Sequence, residues 1–201
     1  KRAICYYMKH TTGRSRERET TNEEGIVGQA GNDPFLSKSK FVQGLQCRKA
    51  LYLQVYHPEL ADPMPPSREA RFETGFRVGE LAHGLFPGGV VIPYEADNFE
   101  GQIARTKAEM VKGTQVLYEA AFLHDGVFVK VDILRRGRAG WELYEVKSST
   151  SVELYQIPDI AVQYYVLKGS GVDISRAYLT HVNRDYVRSG AVDPEKFFVC
   201  E

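Results

Sequence analysis

The chain has 201 residues, 43% of them hydrophobic and 26% charged, and its 26 basic and 26 acidic residues leave no formal net charge. That length suits one α/β domain with a core large enough to fold alone. The balanced charge excludes a global basic field, so any nucleic-acid contact must come from local patches. No apolar run approaches the roughly 20 residues that span a bilayer, so no membrane contact is expected, and the opening KRAICYYMKHTT is a poor signal peptide. Cys5, Cys47 and Cys200 are widely spaced and odd in number, which argues against a disulfide framework and for a reducing, cytoplasmic setting.

Residues 1–34 contain TTGRSRERETTNEEGIVGQAGNDP, a polar stretch of mixed charge with no sustained period; it reads as a flexible or loosely packed extension. Arg14, Arg16 and Arg18 could touch phosphates, although such a run is more often a solvated tail. The globular part is expected over 35–201. Ser37 or Ser39 can cap a first helix with Phe41, Leu45, Ala50 and Leu53 as an uneven apolar stripe, stopped by Pro58. Cys47 lies inside it and reads as a small buried residue. After Pro65 and Pro66, Ser67 is a plausible N-cap for a second helix with Phe72, Phe76, Leu81 and Leu85 as its core stripe. Gly79 and His83 stand one turn apart on one face, and a glycine there lets a backbone or a metal-bound substrate come close. A lone helical histidine is, by itself, more often structural.

GGVVIPYE reads as a short strand or connector. NFEGQIARTKAEMVKG reads as a helix with apolar points Ile103, Met110 and Val111, closed by Gly113. Three strands rich in β-branched and aromatic residues follow: TQVLYEAAFLH, which carries Glu119, then GVFVKVDILRR and GWELYEVKSS. By itself Glu119 reads as an edge-strand acid.

The last two strands carry the chemistry. Side chains alternate faces with period two, so Glu145 and Lys147 share a face. The turn Gly137–Gly140 can close a hairpin that sets Asp132 opposite Glu145; a register shift of two keeps the acids on one face, and a shift of one separates them. Two close carboxylates repel unless a proton or cation relieves them. Hard oxygen donors suit Mg2+ or Mn2+, and a lysine beside them can orient water or offset charge on a phosphate. The bland alternative is a solvated hairpin face with a cross-strand Glu–Lys pair.

TSVELYQIPDIAVQYYVLKGSG reads as a helix whose main body starts at Asp159, after Pro158, and carries Gln163, whose amide can donate and accept at once. A strand over Ala177–Val182 follows. His181 reads as structural, and Arg184 and Arg188 are weak phosphate candidates.

Taken together, FVQGLQCRKALYL, GELAH, YEAAF, VDIL, YEVKSS and DIAVQYYVL, in this order and at these spacings, resemble the RecB-like branch of the PD-(D/E)XK nuclease superfamily. The chain is similar to CRISPR-associated RecB-type exonucleases and to uncharacterised bacterial proteins in which such a region precedes a domain of unknown function. The resemblance covers Phe41 to about Leu167. It implies a restriction-endonuclease-like αβββαβ core with a mixed sheet and extra N-terminal helices. It also implies a metal-dependent deoxyribonuclease, in DNA repair or antiviral defence, with single-stranded or end-bearing DNA as partner. Its residues carry over as follows: His83, Asp132, Glu145 and the Val146 carbonyl as ligands of Mg2+ or Mn2+, with Lys147 as the catalytic lysine. Gln163 matches the motif glutamine, and Glu119 an acid that can assist the metal. Arg68, Arg71, Lys130, Arg135, Arg136 and Arg138 would meet the DNA backbone.

Two departures matter. Leu167 stands where the glutamine motif has tyrosine, so no role passes to a tyrosine. Cys47 matches the first cysteine of iron–sulfur members, but the closing trio is missing, so no iron–sulfur cluster is expected in this chain. The end at FFVCE suggests a fragment of a longer protein. Two other functions compete with the nuclease reading. One is a nuclease-like module that binds nucleic acid or a partner protein without cutting. The other is a two-carboxylate sugar hydrolase using Asp132 and Glu145.

Overall fold

A computed structural model describes residues 35–96 and 98–201. The extension expected over residues 1–34, with its arginine cluster, lies outside the described residues. Strand β1 (Leu36–Ser37) leads into helices α1 (Lys38–Gln46) and α2 (Arg48–Tyr56), then α3 (Pro66–Ala82) and β2 (Val90–Val91). Helix α4 (Phe99–Lys112) precedes the strands β3 (Val116–His124), β4 (Val127–Arg136) and β5 (Trp141–Lys147). Helix α5 (Ile157–Gly169), β6 (Ile174–Val182), α6 (Pro194–Phe197) and β7 (Phe198–Cys200) complete the chain. Among the described residues no helix is long and apolar enough to cross a membrane.

The sheet runs β2-β3-β4-β5-β6-β7, with β1 paired to β4 off this path. Its pairings are antiparallel from β3 to β5 and between β6 and β7, and parallel for β2–β3, β5–β6 and β1–β4. The chain is therefore a mixed α/β protein with a mixed sheet. The sequence order α4, three strands, α5, strand matches the expected element order.

Local chemistry sets most of the boundaries. Ser37 accepts from the Lys40 N–H at 3.3 Å and starts α1. Asn98 accepts from Gly101 at 2.9 Å and starts α4, which Gly113 ends in the left-handed conformation at φ 85°.

Several expectations are corrected. The first helix is broken in two at Cys47, whose extended backbone ends α1 and whose thiol caps α2 by accepting from Ala50. Cys47 is exposed, as a capping position at a helix junction allows, and not the buried residue expected. Helix α3 starts at Pro66 with Pro65 as N-cap, ahead of Ser67, because proline needs no hydrogen-bond partner at the first helical position. Its buried residues are Val78 and Ala82, whereas Phe72, Phe76 and Leu81 are exposed. Val111 on α4 is also exposed; that helix buries Gln102 and Thr106 instead. Helix α5 begins at Ile157, and β6 begins at Ile174, three residues earlier than expected.

Two apolar clusters flank the sheet. One gathers Val162, Val166 and Leu167 of α5 against Val129, Val131, Leu134, Trp141 and Leu143. The other sets Val78 and Ala82 of α3 against Tyr118, Ile133 and Tyr144. Strict alternation cannot put Val129, Val131 and Leu134 in one cluster and Ile133 in the other. Strand β4 therefore switches faces between Val131 and Leu134. Strand β3 does the same, since Leu117, Ala120 and Phe122 share the first cluster and Tyr118 belongs to the second. The ladder keeps step across this point, with Tyr118↔Ile133 and Ala120↔Val131. Glu119 and Asp132 are thus the opposed residues at the switch, and Glu119 takes it up with φ 57°.

The β4–β5 hairpin closes through the Gly137 N–H donated to the Gly140 carbonyl at 2.8 Å. Gly140 has φ 143°, and a Cβ there would lie 2.7 Å from the Asp173 carbonyl oxygen. Backbone conformation and contact both demand glycine. Gly140→Ala should therefore lower stability by about 1–3 kcal/mol, read as a shift in the urea midpoint with an unchanged slope.

Candidate functional site

The β4–β5 ladder pairs Ile133↔Tyr144 and Leu134↔Leu143. Continued by one step, that register sets Asp132 opposite Glu145, as the hairpin argument expects. The ladder ends there, because Asp132 Oδ2 accepts the Val146 N–H at 2.7 Å. The two acids stand at the open end of the hairpin, about 16 Å along β5 from the turn. Strand β5 is not an edge, since β6 pairs along its other side.

Glu145 is the centre of the arrangement. It is only 2% exposed, yet its two carboxylate oxygens are fully engaged. Lys38 Nζ donates to both Oε1 and Oε2 at 2.9 Å. Lys147 Nζ lies 2.9 Å from Oε1 and also pairs with Asp159. Gln163 Nε2 donates to Oε2 at 2.6 Å and to the Asp159 carbonyl at 3.0 Å. Helix α5 supplies this last pair, because Asp159 and Gln163 are four residues apart and share a face. Gln163 Oε1 is buried and has no partner among the described residues.

The two acids respond to these neighbours in opposite directions. Burial alone would push the Glu145 carboxyl up, but Lys38, then Lys147 and Gln163, hold it below the usual carboxylate range. Burial pushes Asp132 well above that range, and the Glu145 charge adds to it. Both lysine ammoniums are held above their ordinary value: burial opposes, and Glu145 and the other carboxylates outweigh it. With every group ionised, three carboxylates (Asp132, Glu145, Asp159) face two ammoniums. The patch carries one negative charge in excess, which a proton or a cation on Asp132 relieves.

The remaining expected site residues are distributed around this core. Glu119 stands across β3–β4 from Asp132, contributes to the field on it, and pairs with Lys130 at 3.4 Å. It lies on a strand with neighbours on both sides, not on an edge. His83 caps the end of α3, its ring stacked on Tyr118 at 3.9 Å between centroids. The Tyr118 hydroxyl fixes the following loop by sitting between the His83 and Phe86 carbonyls, which share its one proton. Burial lowers the His83 pKa against the pull of Glu119 and Glu80, which favours neutral imidazole. Among the described residues no contact joins His83 to Asp132 or Glu145, and no group of three or more His, Cys, Asp or Glu side chains is arranged to hold a metal ion. The donors within one patch are Asp132 and Glu145, with the orphaned Gln163 oxygen beside them. That all-oxygen set fits Mg2+ or Mn2+ in kind.

The expected DNA-contacting arginines lie elsewhere. Arg135 pairs with Glu142 at 3.5 Å and stacks on Phe86, Arg136 stacks on Trp141, and Arg138 is in the hairpin turn. Arg68 lies over Phe72 on α3, one turn from Arg71. His181 is buried and contacts the Val182 carbonyl, in keeping with a structural role.

Two site residues escaped sequence reasoning. Lys38 is remote in sequence, and a lysine in the first helical turn gives no signal of burial. Asp159 was missed too, although the D-x-x-x-Q spacing with Gln163 puts both on one helical face and was the signal that could have found it. Comparison with family models, curated proteins and solved structures gives no match.

The raised Asp132 pKa has a stability consequence. A carboxyl whose native pKa lies above its unfolded value of 3.8 stabilises the fold fully below that value and loses the contribution as pH rises through the native pKa. Asp132→Asn keeps an acceptor for the Val146 N–H and removes the charge. Without divalent metal it should be more stable than wild type at pH 8, the difference shrinking toward pH 4, as read by urea denaturation across that range.

Proposed function

We propose that this protein is a metal-dependent deoxyribonuclease that hydrolyses DNA phosphodiester bonds, acting on single-stranded or end-bearing DNA. The observation that carries this reading is the set of half-buried Asp132, buried Glu145 and half-buried Lys147 on neighbouring strands, with one uncompensated negative charge. The likeness to the RecB-like branch of PD-(D/E)XK nucleases, and to its αβββαβ core, supports it through the same residues.

In this reading Asp132 and Glu145, with the Val146 carbonyl, would hold Mg2+ or Mn2+, and His83 would join from α3. Bound there, such a cation lowers the pKa of water and offsets charge on phosphate. The chain's own groups do the rest. Lys147 is aimed by Glu145 and Asp159, so its ammonium arrives already oriented. Gln163 locks the Glu145 rotamer through its amide N–H, while its unpartnered Oε1 stays buried. Contacts to DNA would be to the backbone, from Arg68, Arg71 and the hairpin arginines, with no base readout.

A second reading is a nuclease-like module that binds nucleic acid or a partner without cutting. The observation favouring it is Lys38, which already sits on both oxygens of Glu145. A two-carboxylate sugar hydrolase is disfavoured by the same contact, because Glu145 is enclosed and saturated.

Cleavage of linear and circular single-stranded DNA, with Mn2+, Mg2+ or EDTA, separates these readings. Wild type should cut only with metal, and Lys147→Ala and Asp132→Ala should each lose about a hundredfold or more. Cutting that survives EDTA, or either substitution in a folded protein, would sink the nuclease reading. DNA binding without cutting would point to the module. Cutting of the circle separates internal from end-dependent attack.

A further inference from the structure

We propose that Lys38 is a built-in counter-ion occupying the cation position of the Asp132–Glu145 site, and that it must leave Glu145 when a divalent ion binds. Lys38 thereby sets the metal affinity of the site. This inference rests on the metal-dependent reading above.

The geometry is that of a cation centred on a carboxylate. Lys38 Nζ is 2.9 Å from both Glu145 oxygens, so a positive charge lies equidistant between them, against the carboxylate that would help hold the metal. Among the described residues, the other contacts on Glu145 are one-sided: Lys147 Nζ lies 2.9 Å from Oε1, and Gln163 Nε2 donates to Oε2. These two can stay when Lys38 departs, since each is also tied to Asp159.

Local helix preference does not put a lysine here. Lys38 is the first residue of α1, where the helix dipole disfavours positive charge. Its backbone is pinned by the β1 pairing of Leu36 and Ser37 with β4 and by the Ser37 cap. Release must therefore come from the side chain, a flexible stem with a strongly hydrated head. It has a route out, because the Lys38 side chain is 25% exposed against 2% for Glu145.

The charge count fits the exchange. Asp132, Glu145 and Asp159 carry three negative charges, and Lys147 alone returns one. The remaining two match a divalent ion. With Lys38 in place as well as the metal, the patch would be overcharged by one positive unit. The ammonium and the metal are thus competitors for one position, and the lysine keeps Glu145 satisfied while no metal is bound.

Mn2+ binding to the full chain, followed by the electron paramagnetic resonance signal of free Mn2+, tests this without recourse to activity. The proteins compared are wild type, Lys38→Met, Lys38→Gln, Lys38→Arg and Glu145→Gln, each checked for folding by circular dichroism. Lys38→Gln keeps a donor for Glu145 should the methionine variant fail to fold. Lys38→Met and Lys38→Gln should bind Mn2+ at least tenfold more tightly than wild type. Lys38→Arg should bind no more tightly than wild type, and Glu145→Gln should lose the site. The melting temperature of the neutral variants should fall without metal and gain more from Mn2+ than wild type does. Wild-type binding that depends on Glu145 but is unchanged or weakened in the neutral Lys38 variants would overturn the role of Lys38 and leave the metal site standing. Absence of Glu145-dependent binding in every variant would overturn the metal-dependent reading and this inference together.

Discussion

The burial of one ionised carboxylate governs the centre of this structure. Glu145 lies in the middle of the sheet at 2% exposure, where an uncompensated charge costs several kcal/mol. The fold answers with donors from three different elements: Lys38 from the start of α1, Lys147 from β5 itself, and Gln163 from α5. Removing one partner from a buried pair typically costs about 3–5 kcal/mol because it leaves a charge uncompensated, so the position of α1 and α5 against the hairpin is coupled to the ionisation of Glu145.

A second constraint shapes how the acids meet. Asp132 stands where β3 and β4 both break alternation, opposite Glu119, whose backbone is held at positive φ. A glutamate in that conformation is strained by about 1–3 kcal/mol, and such strain concentrates at functional sites. The switch frees Asp132 from the ladder, and its carboxylate then caps the Val146 N–H that the interrupted β4–β5 pairing leaves over. A regular sheet would have continued the ladder past Glu145. The kink leaves an acid there without a basic partner of its own.

The hairpin core was legible in the sequence, for reasons that are local. Period-two alternation placed Glu145 and Lys147 on one face, and the Gly137–Gly140 turn allowed Asp132 opposite or two residues away on that face; the ladder leads to the directly opposed register. Gln163 was picked out by the motif resemblance alone, since by itself a glutamine on a helix face gives no local signal. Lys38 was not, because it reaches Glu145 across 107 residues and no local pattern encodes that distance. The helical stripes misled where a helix has little to pack on: Phe72 and Phe76 have the right spacing on α3, but only Val78 and Ala82 meet the sheet. Spacing reports which residues share a face; it does not report whether that face is covered. The split at Cys47 was hidden for a related reason, since a thiol can accept from a helix N–H as a serine does, and nothing about its spacing announces a cap.

The zero net charge and the proposed chemistry are reconciled at the scale of this patch. Across the chain, basic and acidic residues cancel; within the site they do not. Glu145 has three donors on its oxygens and is held ionised, whereas burial and the Glu145 charge push Asp132 toward protonation against the partial offset of Lys38. That asymmetry creates a demand for one more positive charge at a defined place. Long-range attraction of an anionic polymer would require a basic surface. A demand confined to one half-buried carboxylate is met by a proton or by a small, hard cation; under the proposed function, the positive charge that a phosphate needs would arrive with that ion.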